Sequence, residues 1–138
     1  DFYGVYYGQL GSNVAPDKLY TLSNQTIDNC KVFNYETRKI GKIYTTPKTA
    51  DLYDTYLSGA TALLTIQNPN AKTTKELIIF RDSFGSSIAP LLVENYSKIT
   101  LIDLRYISSR ILDKYVDFNN QDVLFLYSTV VLNQNILK

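Results

Sequence analysis

An aspartate–serine pair, Asp82-Ser83, stands directly after an apolar run at residues 76–80 and before a helical pattern. A serine in that place is presented at the end of a strand, with the free N–H groups of the helix behind it. Those donors and the helix dipole can stabilise the oxyanion that forms when a serine attacks an acyl carbon. Serine and aspartate are also preferred helix caps, and from the dipeptide alone the cap is the favoured interpretation.

A second polar group, Asp103-Leu104-Arg105-Tyr106, ends the next apolar run. Arg105 presents a guanidinium suited to holding an anionic substrate group through two hydrogen bonds. A local ion pair that fixes the loop explains the same residues, and it is the favoured interpretation of their spacing. Cys30 is the one cysteine of the chain, which excludes an internal disulfide, and we expect it to be a structural thiol.

The composition argues against several other chemistries. The chain contains no histidine, which removes the commonest general base and the commonest zinc ligand. No further ligand joins Asp51 and Asp54 by spacing, and segment 81–87 holds a single glycine, Gly85, without a phosphate-loop pattern. A net charge of +1 gives no electrostatic case for nucleic acid. We expect no metal, no cofactor, no nucleic-acid partner and, because the apolar runs are short, no membrane span in this chain.

The elements that must position Ser83 follow from hydrophobic periodicity. Apolar runs predict strands, amphipathic spacing predicts helices between the later strands, and alternating residues predict a hairpin nearer the start of the chain. The predicted strands are 62–67, 76–80, 98–102 and 122–127, the helices begin near Pro90 and at Ile107, and the hairpin joins 31–35 to 39–45.

Alternating strands and helices over short links predict a parallel sheet that binds ligands at the carboxyl ends of its strands. The predicted fold is a single α/β domain over residues 1–138, a three-layer sandwich with a mainly parallel sheet. Its βαβαβ core covers 61–138, and an irregular, partly β segment covers 1–60. Because the chain starts at Asp1 and has no methionine, we expect it to be a processed product or part of a longer protein.

The run from Leu77 through Tyr106 resembles the C-terminal signature of the DHHW family. That signature has an apolar strand, Asp-Ser-Phe/Tyr, a helix with Ala-Pro, and a strand that ends in Asp-Leu-Arg-Tyr. Residues 53–59 and 65–69, and Phe2-Tyr3-Gly4, are also similar to stretches of that family. The family is similar in turn to the SGNH-hydrolase-like enzymes that O-acetylate exported polysaccharides such as alginate.

This resemblance implies roles for five residues and a location. Ser83 would be the nucleophile, Asp82 would set the turn, and Gly59 would lie near the oxyanion pocket. Arg105 and Tyr106 would line the groove for a carbohydrate or acyl-carbohydrate substrate. The family resemblance also implies an extracytoplasmic or cell-surface protein.

The chain lacks the general base that the relatives have. The relatives use an upstream Asp/His motif that this chain lacks, so a missing N-terminal half would have to supply it, and the chain alone is expected to be inactive. Arg81 also replaces the glycine that classical hydrolases place before Asp-Ser. A non-catalytic carbohydrate-binding or cell-surface interaction domain is the alternative function, and a nucleotide-binding α/β domain is a weaker third.

Overall fold

The computed structural model describes residues 1–4, 7, 11, 13–134 and 136–138. Within these residues, six strands form one sheet in the order β2-β1-β3-β5-β4-β6. In chain order, strands β1 to β6 are Lys31–Asn34, Lys39–Gly41, Leu63–Gln67, Glu76–Arg81, Lys98–Ile102 and Asp122–Leu126. The α-helices α1 to α3 are Gln25–Asn29, Phe84–Leu92 and Thr129–Asn133, and 3₁₀ helices lie at Leu52–Thr55, Val93–Asn95 and Ser109–Lys114.

The sheet is mixed, so the prediction of a mainly parallel three-layer α/β sandwich is wrong. The pairs β1–β2, β1–β3 and β3–β5 are antiparallel, whereas β4 pairs in parallel with β5 and with β6. The second predicted helix is not an α-helix, because the stretch after Ile107 forms the 3₁₀ helix Ser109–Lys114. No helix among the described residues has the length and apolar character that crossing a membrane requires.

Strands β3 and β4 run in opposite directions, because the link between them is too short for a crossover. Since β4 is parallel to β5, β3 is antiparallel to β5. Gln67 at the end of β3 and Glu76 at the start of β4 both lie opposite Lys98 of β5. Parallel neighbours need a connection of about a dozen residues or more. Residues 68–75 instead form a turn that hydrogen bonds of the buried Asn68 side chain hold in place. β5 then inserts between the two strands.

The two outer strands of the described sheet differ in how well the sequence predicts them. The predicted hairpin is confirmed, because β1 and β2 pair antiparallel with Asn34 opposite Lys39. The apolar run at 122–127 predicts a buried strand, and that prediction is wrong, because β6 is an outer strand and leaves Val123 51% and Phe125 68% exposed. An apolar run has the same pattern in a central strand and in an outer one.

Two apolar clusters, one on each face of the sheet, bury the central strands. Alternate side chains of a strand point to opposite faces, so Ile79 joins the larger cluster with α1, α2 and Leu57, whereas Ile78 joins the smaller one with Leu112. Truncating a buried side chain of this size costs about 2–5 kcal/mol. The carboxyl ends of β4 and β5 are therefore firmly held.

Helix α2 begins earlier than the sequence predicts. The pattern places its regular turns near Pro90, because proline is tolerated at the first helical position. In the structure the helix begins at Phe84 and carries Pro90 in its interior. The Asp82 carboxylate accepts a hydrogen bond from the Phe84 N–H at 3.0 Å, which favours a helix start at that point. Pro90 removes a later bond, and the helix passes into a 3₁₀ helix at Val93.

Candidate active site

Ser83 lies exposed in the turn between β4 and α2. Its backbone is already helical, with φ −58° and ψ −29°, and its side chain makes no capping hydrogen bond. Neither its hydroxyl nor its backbone N–H has a hydrogen-bond partner among the described residues, whereas its carbonyl accepts from the Tyr53 hydroxyl at 3.0 Å. The turn therefore presents a serine hydroxyl and an N–H donor side by side.

Asp82 ties the turn together. The residue is 2% exposed, and its carboxylate accepts from the Phe84 N–H at 3.0 Å and from the Ser128 N–H at 2.7 Å. Its own N–H donates to the Leu126 carbonyl at 3.3 Å. These bonds join the β4–α2 turn to the end of β6, and the capping hydrogen bond of α2 comes from Asp82 rather than from Ser83.

Three charged residues lie under the turn. Arg81 and Asp103 have fully buried side chains, and Arg81 Nη1 lies 3.8 Å from Asp103 Oδ2. Arg105 binds the same carboxylate through two bonds, Nε to Oδ1 at 2.9 Å and Nη2 to Oδ2 at 2.6 Å. Asp103 thus lies between two guanidinium groups, where the carboxyl ends of the parallel pair β4 and β5 meet.

The charges shift the acidity of their neighbours. Burial lowers the pKa of Arg81, and the charge of Asp103 opposes that change. The hydrogen bond to Asp103 raises the pKa of Arg105. Burial, with smaller contributions from Asp103 and Asp82, raises the pKa of Tyr127 to about 12. The Tyr127 hydroxyl is buried and has no partner among the described residues.

Gly59 makes no hydrogen bond to Ser83 in the part of the chain described. It has φ +89°, and an added Cβ would lie 2.4 Å from Asp54 Oδ1, so only glycine fits there. Its N–H already donates to the Tyr56 carbonyl at 3.1 Å. Tyr53, the residue before Asp54, connects this segment to Ser83, because its hydroxyl donates to the Ser83 carbonyl.

The two predicted substrate-binding residues adjoin each other at the surface. The Arg105 guanidinium is bound to Asp103, as the ion-pair interpretation requires, and lies 5.2 Å from the centre of the Tyr106 ring. Its side chain is 20% exposed, and Tyr106 is 53% exposed. The aromatic ring is therefore the more accessible of the two.

Sequence reasoning missed two residues of this arrangement. Tyr53 reaches Ser83 from a distant segment, and no local pattern signals that contact. Arg81 was noted only for replacing a glycine. The available signal was Gly85, one helical turn later, because an added Cβ there would lie 2.5 Å from Arg81 Cβ. The chain thus places an exposed serine hydroxyl beside an N–H donor, and without histidine it contributes no imidazole group.

The comparisons with known proteins point to one family. The family model described as DHHW protein matches residues 1–102. A solved DHHW family protein from Eubacterium siraeum is 23% identical with a TM-score of 0.55, and the match covers 74% of this chain and 35% of that one. No curated protein sequence matches the chain significantly.

Two further similar structures are of PatB1 from Bacillus cereus, one of them solved with a sulfonyl adduct. The adduct structure is 21% identical with a TM-score of 0.54 and covers 82% of this chain and 40% of that one. The other is 21% identical with a TM-score of 0.57 and covers 91% and 46%. The likeness at these identities concerns the fold, and the chain spans less than half the length of each of these structures.

Proposed function

The chain belongs to the DHHW protein family, and we propose that its parent protein is an SGNH-like serine acyl-ester hydrolase or O-acetyltransferase that acts on cell-surface or exported carbohydrate. The observation that carries the proposal is the exposed Ser83 hydroxyl, free of hydrogen bonds to the described residues and adjacent to a free N–H at the start of α2. The extracytoplasmic location is part of the same proposal and rests on the family resemblance.

The proposed reaction begins with attack of Ser83 Oγ on the carbonyl carbon of an acyl ester. A base outside this chain takes the hydroxyl proton, and the carbonyl electron pair moves to the oxygen, where the Ser83 N–H binds the oxyanion. The tetrahedral intermediate collapses, and the leaving alcohol takes the proton from the base. Water or a sugar hydroxyl then removes the acyl group from Ser83 by the same steps.

The base is proposed to lie in an N-terminal half of the parent protein that carries the Asp/His motif of the family. The chain has no histidine, and a serine hydroxyl without a base is a weak nucleophile. Ser83 is exposed, so a second segment has access to its hydroxyl. The chain alone is therefore proposed to be inactive.

The sulfonyl adduct of Bacillus cereus PatB1 supports the choice of nucleophilic chemistry. Sulfonyl groups with a good leaving group react with activated side-chain nucleophiles, as acyl esters do. A relative that shares the fold and forms such an adduct favours an acyl-transfer class over a nucleotide-binding one. The acyl donor and the acceptor stay open in this proposal.

The other predicted site residues take supporting roles in the proposal. Asp82 holds the turn through its bonds to Phe84 and Ser128. Tyr106 forms an exposed wall of the substrate groove, with Arg105 fixed behind it by Asp103. Gly59 joins the oxyanion pocket only after its N–H leaves the Tyr56 carbonyl.

The alternative is a non-catalytic carbohydrate-binding or cell-surface interaction domain on the same fold. The missing histidine favours it, as does the exposure of Tyr20 at 75% and of Tyr106 at 53%. Tyrosine rings that keep one face in solvent are suited to stacking on sugars. In this alternative the Ser83 hydroxyl has no chemical role.

The discriminating experiment is p-nitrophenyl acetate hydrolysis by the full-length parent, by its Ser83→Ala variant and by the 138-residue chain. Ser87→Ala is the matched control, because Ser87 lies one turn further along α2. We expect activity in the parent and in Ser87→Ala, and none in Ser83→Ala or in the isolated chain. A folded parent without activity above buffer favours the binding domain, and activity in the isolated chain contradicts the external base.

A further inference from the structure

Arg81 is a fully buried cation directly beneath the β4–α2 turn. Its Nη1 lies 3.3 Å from the Asp82 carbonyl oxygen and 3.2 Å from Ser86 Oγ, and its Nη2 lies 3.2 Å from the Thr61 carbonyl oxygen. A guanidinium taken out of water is costly unless it is paired and hydrogen-bonded. The position of Arg81 therefore cannot be explained as that of a solvated surface charge.

The surroundings of Arg81 accommodate its charge and shape. Asp103, equally buried, supplies the opposite charge at 3.8 Å. Gly85 leaves room for the side chain, because an added Cβ would lie 2.5 Å from Arg81 Cβ and 2.8 Å from its Cγ. Arg81 Nε has no hydrogen-bond partner among the described residues, so the hydrogen bonds of the side chain are made by its two terminal nitrogens. Those nitrogens are the atoms that reach the turn.

The carbonyl that Arg81 reaches belongs to the same peptide unit as the Ser83 N–H. That unit is planar and trans, so its carbonyl and its N–H point in opposite directions. Arg81 Nη1 and the Gly85 N–H, at 3.1 Å, both donate to the Asp82 carbonyl oxygen. Two donors on one side of the peptide fix its plane, and donors to a carbonyl also polarise the N–H across the amide.

We infer that Arg81 is a positioning residue that locks the Asp82–Ser83 peptide, so that the Ser83 N–H stays directed at the oxyanion. This inference rests on the proposed function, in which that N–H stabilises the tetrahedral intermediate. Arg81 touches neither the acyl group nor the hydroxyl, and it acts through the orientation of one amide. A donor that is already oriented needs no reorganisation when the charge forms.

The test measures kcat and KM for p-nitrophenyl acetate in the full-length parent carrying Arg81→Met or Arg81→Lys. Arg81→Lys keeps a positive charge opposite Asp103, but one ammonium cannot reach the carbonyls of Asp82 and Thr61 together. We expect kcat to fall by about 10- to 100-fold in both variants, less than the roughly 100- to 1,000-fold cost of removing an oxyanion donor, because the Ser83 N–H is misoriented and not lost. KM should stay within about twofold, because the ground-state ester does not need the N–H.

Ser86→Ala is the matched control. It removes another acceptor of the same Nη1 atom and leaves the Asp82 carbonyl contact in place. We expect its kcat to stay within about twofold of the parent. Circular dichroism and thermal unfolding establish that each variant is folded before its kinetics are compared.

Several outcomes would overturn the positioning role. These are an unchanged kcat in both Arg81 variants, an equal loss of kcat in Ser86→Ala, or failure of both Arg81 variants to fold, which would assign Arg81 to stability alone. Failure of the proposed function has a separate signature, because Ser83→Ala would then keep full activity. Loss of activity in Ser83→Ala with unchanged kcat in the folded Arg81 variants would reject the positioning role only.

Discussion

Strands β4 and β5 carry opposite charges at both ends, and the two ends differ in their exposure to solvent. Where the strands begin, Glu76 Oε2 and Lys98 Nζ are 2.9 Å apart, with side chains 31% and 36% exposed. Where they end, Arg81 and Asp103 are fully buried, and Arg105 is bound to the same carboxylate. The same pair of strands thus begins with a surface salt bridge and ends in a buried charge cluster.

The difference in burial changes what each charge pair contributes to stability. An exposed ion pair contributes about 0–1 kcal/mol and is easily replaced. A buried one has a desolvation cost that often exceeds its Coulombic gain. The buried cluster lies under the turn that presents Ser83, and this placement agrees with a site in which fixed charges orient a reacting group.

The largest predicted difference between the two ends comes from removing one carboxylate from each. Asp103→Asn leaves Arg81 and Arg105 facing a neutral amide, so we expect a loss of about 3–5 kcal/mol in the free energy of unfolding. Glu76→Gln at the other end should cost less than about 1 kcal/mol. Urea denaturation of both variants measures the two losses, and equal losses would remove the contrast between the ends.

A smaller effect is expected from filling the space that Arg81 uses. Gly85→Ala would normally stabilise a helix, but here the new methyl group would lie 2.5 Å from Arg81 Cβ. We expect a net destabilisation of about 1–3 kcal/mol from overpacking. Gly41→Ala is the control, because an added Cβ there meets nothing within 4 Å. A stabilised Gly85→Ala in thermal unfolding would show that Arg81 can move aside.

The smallest effect concerns two tyrosines at opposite ends of the sheet. The pKa of Tyr127 is raised to about 12 by burial, from an ordinary value of 10.0. Because the folded state disfavours the phenolate, its contribution to stability is intact below pH 10 and is lost as the pH rises from about 10 through 12.

Tyr127→Phe should therefore flatten that alkaline loss in urea denaturation. At neutral pH the same variant should be near neutral or slightly stabilising, because the buried hydroxyl has no partner among the described residues. Tyr96→Phe is the comparison at the other end, where the hydroxyl donates to Asp122 Oδ2 at 3.0 Å. An unchanged alkaline slope in Tyr127→Phe would contradict the assignment to this hydroxyl.

The sequence predicts the position of the strands better than their pairing. Apolar runs locate β3 to β5 closely, because buried strands need them. The run at 122–127 also locates β6, although that strand is largely exposed. Asn68-Pro69-Asn70 predicts a turn after Gln67, but which strand lies beside β3 depends on contacts between distant segments. Burial of Val123 and Phe125 could not be judged from β6 itself, because exposure depends on whether another strand lies alongside.

In the candidate site, too, the sequence predicts a position along the chain better than the contacts between distant segments. The position of Ser83 at the end of β4 followed from the boundary between a strand and a helix pattern. The burial of Arg81 did not, because an arginine after an apolar run is usually expected in solvent. Its environment is built from Thr61, Gly85 and Asp103, which belong to three separate segments. Local patterns therefore located Ser83, and only the tertiary structure located the charges around it.

Labelling of the full-length parent with a serine-directed phosphonate probe tests whether Ser83 is the nucleophile that we propose. We predict a covalent adduct on Ser83 by peptide mass spectrometry, with none on Ser87 and none in the Ser83→Ala variant. The isolated chain, which lacks histidine, should label far more slowly. A folded parent that hydrolyses the ester without labelling at Ser83, or that labels another residue instead, would contradict this proposal.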